Sequence, residues 1–101
     1  MTKYLFIFHG GRMPESQEER DAIMATWGGW MSGLGDSMLD PGSMISATSR
    51  VTASGVSSVD GADAPSGYMI VSAEKPEEAV EMAKSCPIHA GGGTVDVATV
   101  V

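Results

Sequence analysis

The chain has 101 residues, of which 43% are hydrophobic and 19% are charged. This length accommodates one domain, so we treat residues 1–101 as a single domain with one modest core. Thirteen acidic residues against six basic ones give a net charge of −7. Because that charge repels phosphate backbones and anionic lipid, it argues against nucleic-acid and membrane-surface partners.

The N-terminus and the cysteine content favour a cytoplasmic protein. The apolar run Tyr4–Phe8 is too short for a signal-peptide core or a membrane span. The single cysteine, Cys86, has no partner for an internal disulfide. It stands beside Pro87 after a helical run, and we predict a buried structural thiol rather than a nucleophile.

The first half of the chain predicts a strand followed by a helix. Lys3–His9 is a short apolar run whose two faces are both apolar, which is typical of a strand covered on both sides. Ser16 and Glu19 then have the spacing of a capping box. Apolar residues follow at the spacing of one helical face: Ile23, Met24, Trp27, Trp30, Met31 and Leu34. Gly28 and Gly29 weaken the middle of this helix by about 1 kcal/mol each relative to Ala, and they are tolerable there if another group packs closely on them.

The second half predicts strands on either side of another helix. Residues 36–45 predict a strand broken by the Pro41-Gly42 pair, and residues 49–59 an exposed edge strand or hairpin arm. Residues 67–73 predict a strand, and residues 75–86 a helix that starts near Pro76. Its predicted inward stripe is Ala79, Val80, Met82 and Ala83. Residues 94–101 predict the last strand.

This order of elements gives an α+β domain with an unprotected sheet face. Two helices cannot cover both faces of a sheet, so both are expected on one face. The strand pattern then leaves a second apolar face, and an exposed apolar face of that size is typical of a partner site. A second copy of the chain in a two-fold dimer is the simplest partner.

Four stretches of the sequence resemble the YCII-related family, whose DGPF-type members share a ferredoxin-like α+β dimer. They are "KYLFIFHGG", "WGGWMSGLGDSMLDPG", "VDGADAPSGYMIVSAEKPEEAVEMAKSCP" and "GGGTVDVATVV". Together they span nearly the whole chain. The resemblance implies a ferredoxin-like βαββαβ antiparallel sheet with two helices on one face, assembled as a dimeric α+β barrel.

The resemblance also draws attention to Asp60. DGPF-type members have Asp-Gly-Pro-Phe where this chain has Asp60-Gly61-Ala62-Asp63, so the Asp and Gly match and the Pro and aromatic residue do not. One interpretation makes Asp60 a ligand-binding residue. The other makes Asp60-Gly61 a tight turn in which Asp accepts backbone amides and Gly takes a positive φ. The residues by themselves leave both open.

A histidine and a carboxylate are the candidates for catalysis. Some YCII-like proteins have a His on the first helix paired with an Asp as an acid/base couple. The matching helix face of this chain has Trp27 and Trp30 and no His. We therefore predict His9 and Asp36 as a catalytic pair in the cleft between sheet and helix, with Trp27 and Trp30 as ligand-binding residues. The alternatives are a solvated His9 and an Asp36 that only ends the helix.

The sequence predicts neither a metal nor a cofactor. The two histidines lack the spacing of a metal-ligand pair, and the glycine run before Thr94 has no Lys and precedes a strand, unlike a P-loop. We predict a small homodimer that binds a small organic molecule; any enzyme activity would be cofactor-free acid/base work such as elimination or isomerisation. The alternative is a regulatory or scaffolding protein–protein module with an acidic surface. A heme-binding or monooxygenase-type relationship has only fold analogy behind it. The roles of Asp63 and His89 stay open.

Overall fold

The computed structural model describes residues 1–11 and 15–101, and all statements about its elements refer to these residues. In chain order the elements are β1 (Thr2–His9), α1 (Gln17–Leu34), β2 (Met38–Met44), β3 (Ser49–Thr52), β4 (Gly55–Ser58), β5 (Pro65–Ala73), α2 (Pro76–Lys84) and β6 (Thr94–Val100). Short 3-10 turns at Gly35–Ser37, Gly61–Asp63 and Pro87–Gly91 connect them. Neither described helix combines the length and the apolar sequence that crossing a membrane requires.

Four of the strands form one sheet in the order β2-β5-β1-β6, and each neighbouring pair is antiparallel. With the two helices this is an α+β fold, and the strand order is compatible with the ferredoxin-like arrangement expected from the sequence. Strands β3 and β4 form a separate hairpin between β2 and β5 in the chain. Of the two interpretations of residues 49–59, the hairpin arm is therefore confirmed.

The hydrophobic core lies between the helices and one face of the sheet. The side chains of Tyr4, Phe6, Phe8, Met69 and Val71 are at most 5% exposed. Both helices pack on this face, through the residues Trp27, Trp30, Met31, Leu34, Ala79, Met82 and Ala83.

Helix α2 contacts the core through a narrower stripe than predicted. Ala79 and Ala83, four residues apart, are buried and lie on one line along the helix. Val80 was predicted to face inward, but it is 40% exposed. It lies about 100° around the helix from Ala79, which turns it away from that line.

The second face of the sheet has no helix over it in the described part of the chain. Alternate residues of each strand point to opposite sides, so the residues between the core positions share this face. We call it the open face; its central residues are Leu5, Ile7, Tyr68, Ile70 and Ala98, which pair across β5, β1 and β6. All five are partly exposed. The sheet thus presents apolar side chains on both sides, as the strand pattern predicted.

Helix α1 starts as the capping-box pattern predicts. The hydroxyl of Ser16 accepts a hydrogen bond from the Glu19 N–H at 3.1 Å, and the Glu19 carboxylate accepts from the Glu15 N–H at 2.8 Å. The helix continues through Gly28 and Gly29 without a break. No close packing compensates for these glycines, because no described atom outside their own helical surroundings lies within 4 Å of a methyl group built there.

Strand β2 is interrupted as its Pro-Gly pair predicted. Its pairing with β5 shifts register twice, between Met38 and Asp40 and between Asp40 and Ser43. The Asp40 carboxylate accepts from the Gly42 N–H at 2.8 Å, and Gly42 has a φ of 70°. A side chain on Gly42 would overlap the carbonyl oxygen of Tyr68. The bulge therefore depends on glycine at this position.

Candidate functional site

A histidine and an aspartate form a polar couple on the open face. The Nε2 atom of His9, at the end of β1, lies 3.0 Å from Oδ2 of Asp96 in β6. The side chain of His9 is 17% exposed and that of Asp96 is 68% exposed. The imidazole is thus largely enclosed, while the carboxylate is accessible to solvent.

The pairing of β1 with β6 brings these residues together. Ile7 lies opposite Asp96 and His9 lies opposite Thr94, with no shift of register between them. His9 and Asp96 are therefore diagonal neighbours on the same face, within reach of long side chains. Gly93 packs so tightly against the backbone of His9 and Gly11 that a side chain there would collide with both. Glycine thus lets the start of β6 approach the end of β1.

The two nitrogen atoms of the His9 ring have different environments. Nε2 pairs with Asp96, whereas Nδ1 is buried and has no hydrogen-bond partner among the described residues. An orphaned buried nitrogen is uncommon in native proteins. In the neutral ring that donates Nε2–H to Asp96, Nδ1 carries only a lone pair, which avoids burying an unpaired N–H. A ligand outside the protein can therefore reach the couple only on the Nε2 and carboxylate side.

Asp96 borders two surfaces that a ligand can occupy. On one side is the apolar strip of the open face, beginning with Ile7. On the other is a shallow groove of about 550 Å³ between α2 and β6, lined by Val80, Ala83, Lys84, His89, Val95, Asp96 and Val97. A carboxylate with apolar walls on both sides can hold the polar end of a small organic molecule.

His9 and Asp36 are not neighbours, which contradicts the predicted pair. Asp36 is an exposed residue of the turn after α1, two residues before Met38. Met38 lies opposite Val71, which pairs with Tyr4 at the other end of β1 from His9. The five residue steps from Tyr4 to His9 span roughly 16 Å along the strand. His9 also faces the open side of the sheet, not the cleft under the helices where we expected it.

The carboxylate that does meet His9 was missed at the level of sequence. Asp96 is the only charged residue in the last strand, "TVDVATVV", and stands between two valines. A lone charge in an apolar strand is a usable signal, because it is the strand's only ionisable side chain. The signal does not identify the partner of Asp96, which is 87 residues away in the chain.

Trp27 and Trp30 lie on the helix side of the sheet, across from the couple. Their ring centroids are 5.2 Å from Phe8 and 6.5 Å from Phe6, respectively. The indole N–H of Trp30 donates to the carbonyl of Met82 and the hydroxyl of Ser85, both at 3.2 Å. These contacts bind α1 to the core and to α2, and a ligand-binding role for either tryptophan stays a prediction.

Asp60 lies beside a polar hollow at the base of the β3–β4 hairpin. The hollow has a volume of about 260 Å³ and is lined by Ser46, Ala47, Thr48, Ser49, Ser58, Val59, Asp60, Gly61, Ala64 and Pro65. Gly61 has a φ of 69°, as the tight-turn interpretation requires, but the Asp60 side chain makes no capping hydrogen bond to this turn. Asp60 is exposed, and its ligand-binding role stays a prediction.

Cys86 and His89 both contact groups of the protein itself. Cys86 is 3% exposed, and burial raises the pKa of its thiol against the opposing effect of a hydrogen bond with the Ile88 backbone. This agrees with the predicted buried thiol. The His89 Nε2 atom lies 2.9 Å from the carbonyl oxygen of Ala83, which joins the turn after α2 to the end of that helix.

Comparison with known proteins gives no match from which the function of this site could be inferred. No protein-family model matches the sequence, and no curated protein matches it either. Among the described residues, no three His, Cys, Asp or Glu side chains gather as a metal ion would require. The function therefore has to be argued from the geometry of the couple and of the open face.

Proposed function

We propose that the chain is a YCII-related protein that binds a small organic molecule at the His9–Asp96 couple of a homodimer and performs cofactor-free acid/base chemistry on it. The observation that carries the proposal is the 3.0 Å contact between an enclosed imidazole and an exposed carboxylate. A carboxylate that can take up a proton and an imidazole N–H that orients it are groups that proton transfer uses.

The open face supports the homodimer. Its apolar residues are contiguous across three strands, and an exposed apolar area of this kind is typical of an interface. A second copy related by a two-fold axis covers the same face of both chains at once. Two sheets packed face to face in this way form a dimeric α+β barrel with the helices outside.

The couple lies where such a dimer would enclose a ligand. His9 lies at one end of the open face, and Asp96 lies on its edge strand, β6. A second sheet would therefore cover the apolar residues next to them and leave an entrance at the edge of the sheet. Exclusion of water strengthens electrostatic interactions at the couple. The Asp96 carboxylate accepts a proton from one atom of the ligand and returns it to another atom or to the leaving group, while the Nε2–H of His9 holds that carboxylate in place by a hydrogen bond. Elimination or isomerisation requires such an exchange.

An NMR experiment on the histidines tests the ligand site. The chain has two histidines, so the imidazole signals of His9 can be assigned with a His9→Gln variant and those of His89 with His89→Gln. We expect pools of small organic acids and other metabolites to contain a compound that shifts the His9 signals and leaves those of His89 unchanged. Asp96→Asn keeps the size of the side chain but removes its charge, and should weaken that binding by about tenfold or more.

The controls separate a ligand site from a nonspecific effect. The His89→Gln protein should bind the same compound with unchanged affinity, since the proposed ligand lies on the open-face side of Asp96 and His89 lines the groove on the other side. A library that leaves the His9 signals unmoved in a protein shown to be dimeric would contradict the ligand site. Equal shifts of both histidines would indicate a change of pH or a nonspecific contact and would contradict it too.

A further inference from the structure

The β3–β4 hairpin, residues 49–58, projects from the domain and is not packed against another element in the described part of the chain. We call it the arm; all ten of its residues are exposed. Val51 and Val56 form a cross-strand pair and are 73% and 70% exposed. Because an isolated two-stranded hairpin is at best marginally stable in water, the arm requires another surface to pack against.

The charge of the arm differs from that of the rest of the chain. Residues 45–59 contain one charged side chain, Arg50, whereas all thirteen acidic residues lie elsewhere. Two strongly acidic bodies repel each other, but a basic, largely uncharged arm is attracted to an acidic body. A second copy of the same chain supplies such a body.

We take the two-fold axis of the proposed homodimer to run parallel to the strands, and this choice sets where the partner's arm arrives. Strand β2 ends at Met44, opposite Gly67, which pairs with Phe8. The arm therefore leaves the sheet at the same end as His9, but from the β2 edge, which is opposite the β6 edge. A two-fold axis parallel to the strands exchanges these two edges and keeps the ends of the strands aligned. The arm of one copy then begins beside the His9–Asp96 couple of the other.

We propose that the arm of each copy packs against the couple's end of the partner's open face and places Arg50 beside the partner's exposed Asp96. The partner's arm covers its two exposed valines there and closes the entrance to the couple. Each site is then made of residues from both copies and is incomplete in a single chain. This inference rests on the proposed homodimer and identifies what its second copy contributes.

Charge exchange tests the contact in the intact protein. Arg50→Glu should raise the dimer dissociation constant by about tenfold, and Asp96→Arg should raise it similarly, because each creates a pair of like charges. The double variant Arg50→Glu with Asp96→Arg should regain most of the lost affinity. Arg20→Glu, an exposed change on α1, is the matched control and should alter the dissociation constant less than twofold. Analytical ultracentrifugation measures the dimer dissociation constant of the wild type and of these four variants.

Covalent crosslinking provides a second, independent readout. In a Cys86→Ala background, cysteines at Val51 and Thr94 should be joined between chains by a short bis-maleimide reagent, since Thr94 is exposed and lies opposite His9. Cysteines at Val51 and Glu77, which is exposed at the start of α2 on the other side of the sheet, should not be joined.

The outcomes distinguish this inference from the proposed function. A dimer that forms without the Val51–Thr94 crosslink and is unaffected by Arg50→Glu would overturn the arm contact and leave the homodimer standing. A wild-type chain that stays monomeric at all accessible concentrations would overturn both. Loss of affinity in the single variants with recovery in the double variant would support the arm contact.

Discussion

At the scale of single residues, the two partners of the couple differ strongly in solvent exposure. His9 is 17% exposed and Asp96 is 68% exposed, so the imidazole is held by its surroundings while the carboxylate remains in contact with solvent. A pair with one exposed partner contributes at most about 1 kcal/mol to stability. The physical consequence of the pair is the orientation of the imidazole. Asp96 favours the ring form with its proton on Nε2, and the form with the proton on Nδ1 is unfavourable because Nδ1 is buried without a hydrogen-bond partner among the described residues.

Cys86 allows a prediction on the dependence of stability on pH. Burial raises the pKa of its thiol in the folded state, so the folded chain keeps this proton at pH values where the unfolded chain loses it. The free energy of unfolding should therefore fall as pH rises above the ordinary thiol pKa of about 8.5. Denaturant titrations of the wild type and Cys86→Ala between pH 7 and pH 10 measure the effect. Parallel curves for the two proteins over this range would contradict it.

At the scale of the elements, glycines have opposite roles in α1 and β2. Gly28 and Gly29 lie in the middle of a continuous helix and no described residue packs on them, so they weaken α1 without serving a contact seen in the structure. Gly42 occupies a bulge with a positive φ directly against the backbone of Tyr68. The sequence distinguishes them in part, since Pro41 marks Gly42 as the site of a turn or bulge, but it does not show what packs against each glycine.

Alanine substitutions test this distinction. Gly28→Ala and Gly29→Ala should each stabilise the protein by about 0.5–1 kcal/mol, because alanine is the better helix former and the added methyl group meets no atom. Gly42→Ala should destabilise it by about 2 kcal/mol or more, since the backbone conformation is strained for alanine and β5 must move aside. Denaturant midpoints measure the change in stability of each of the three variants. A stabilising Gly42→Ala, or a loss of stability at Gly28, would contradict the packing described.

At the scale of the whole molecule, the single chain is flat. Its principal dimensions are 42 × 40 × 19 Å and its radius of gyration is 14.6 Å, against about 13 Å for a compact domain of this length. The chain consists of one helical layer on one sheet, with an arm that projects from the edge. Such a two-layer arrangement buries one face of the sheet and leaves the other for a partner.

A charged residue on the open face tests whether that face is the interface. Ile70 lies at its centre, opposite Leu5, and Ile70→Lys should raise the dimer dissociation constant by roughly 100-fold without unfolding the chain, because a charge would be buried without a partner. Met24→Lys, at a residue that is 67% exposed on α1, should leave the dimer dissociation constant unchanged. Sedimentation velocity distinguishes the two variants. An unchanged dimer with Ile70→Lys would show that the sheets do not meet through this face.

The parts of the fold that depend on local pattern were predictable from the sequence. The order of strands and helices, the cap at Ser16 and the break at Pro41-Gly42 all follow from residues close together in the chain. The two apolar faces of β1 follow from its alternation, because the side-chain period of a strand is two whatever it pairs with.

The site, by contrast, was decided by the tertiary structure. A sequence shows that His9 ends a strand, but it does not show which face that residue takes or which carboxylate lies beside it. The register between β1 and β6 places Asp96 next to His9 and leaves Asp36 at the far end of the sheet. Register depends on how distant strands pack together, and a shift of one residue would turn every side chain of β6 to the other face. Local sequence therefore determined the elements, and long-range strand pairing alone determined which of their polar residues meet.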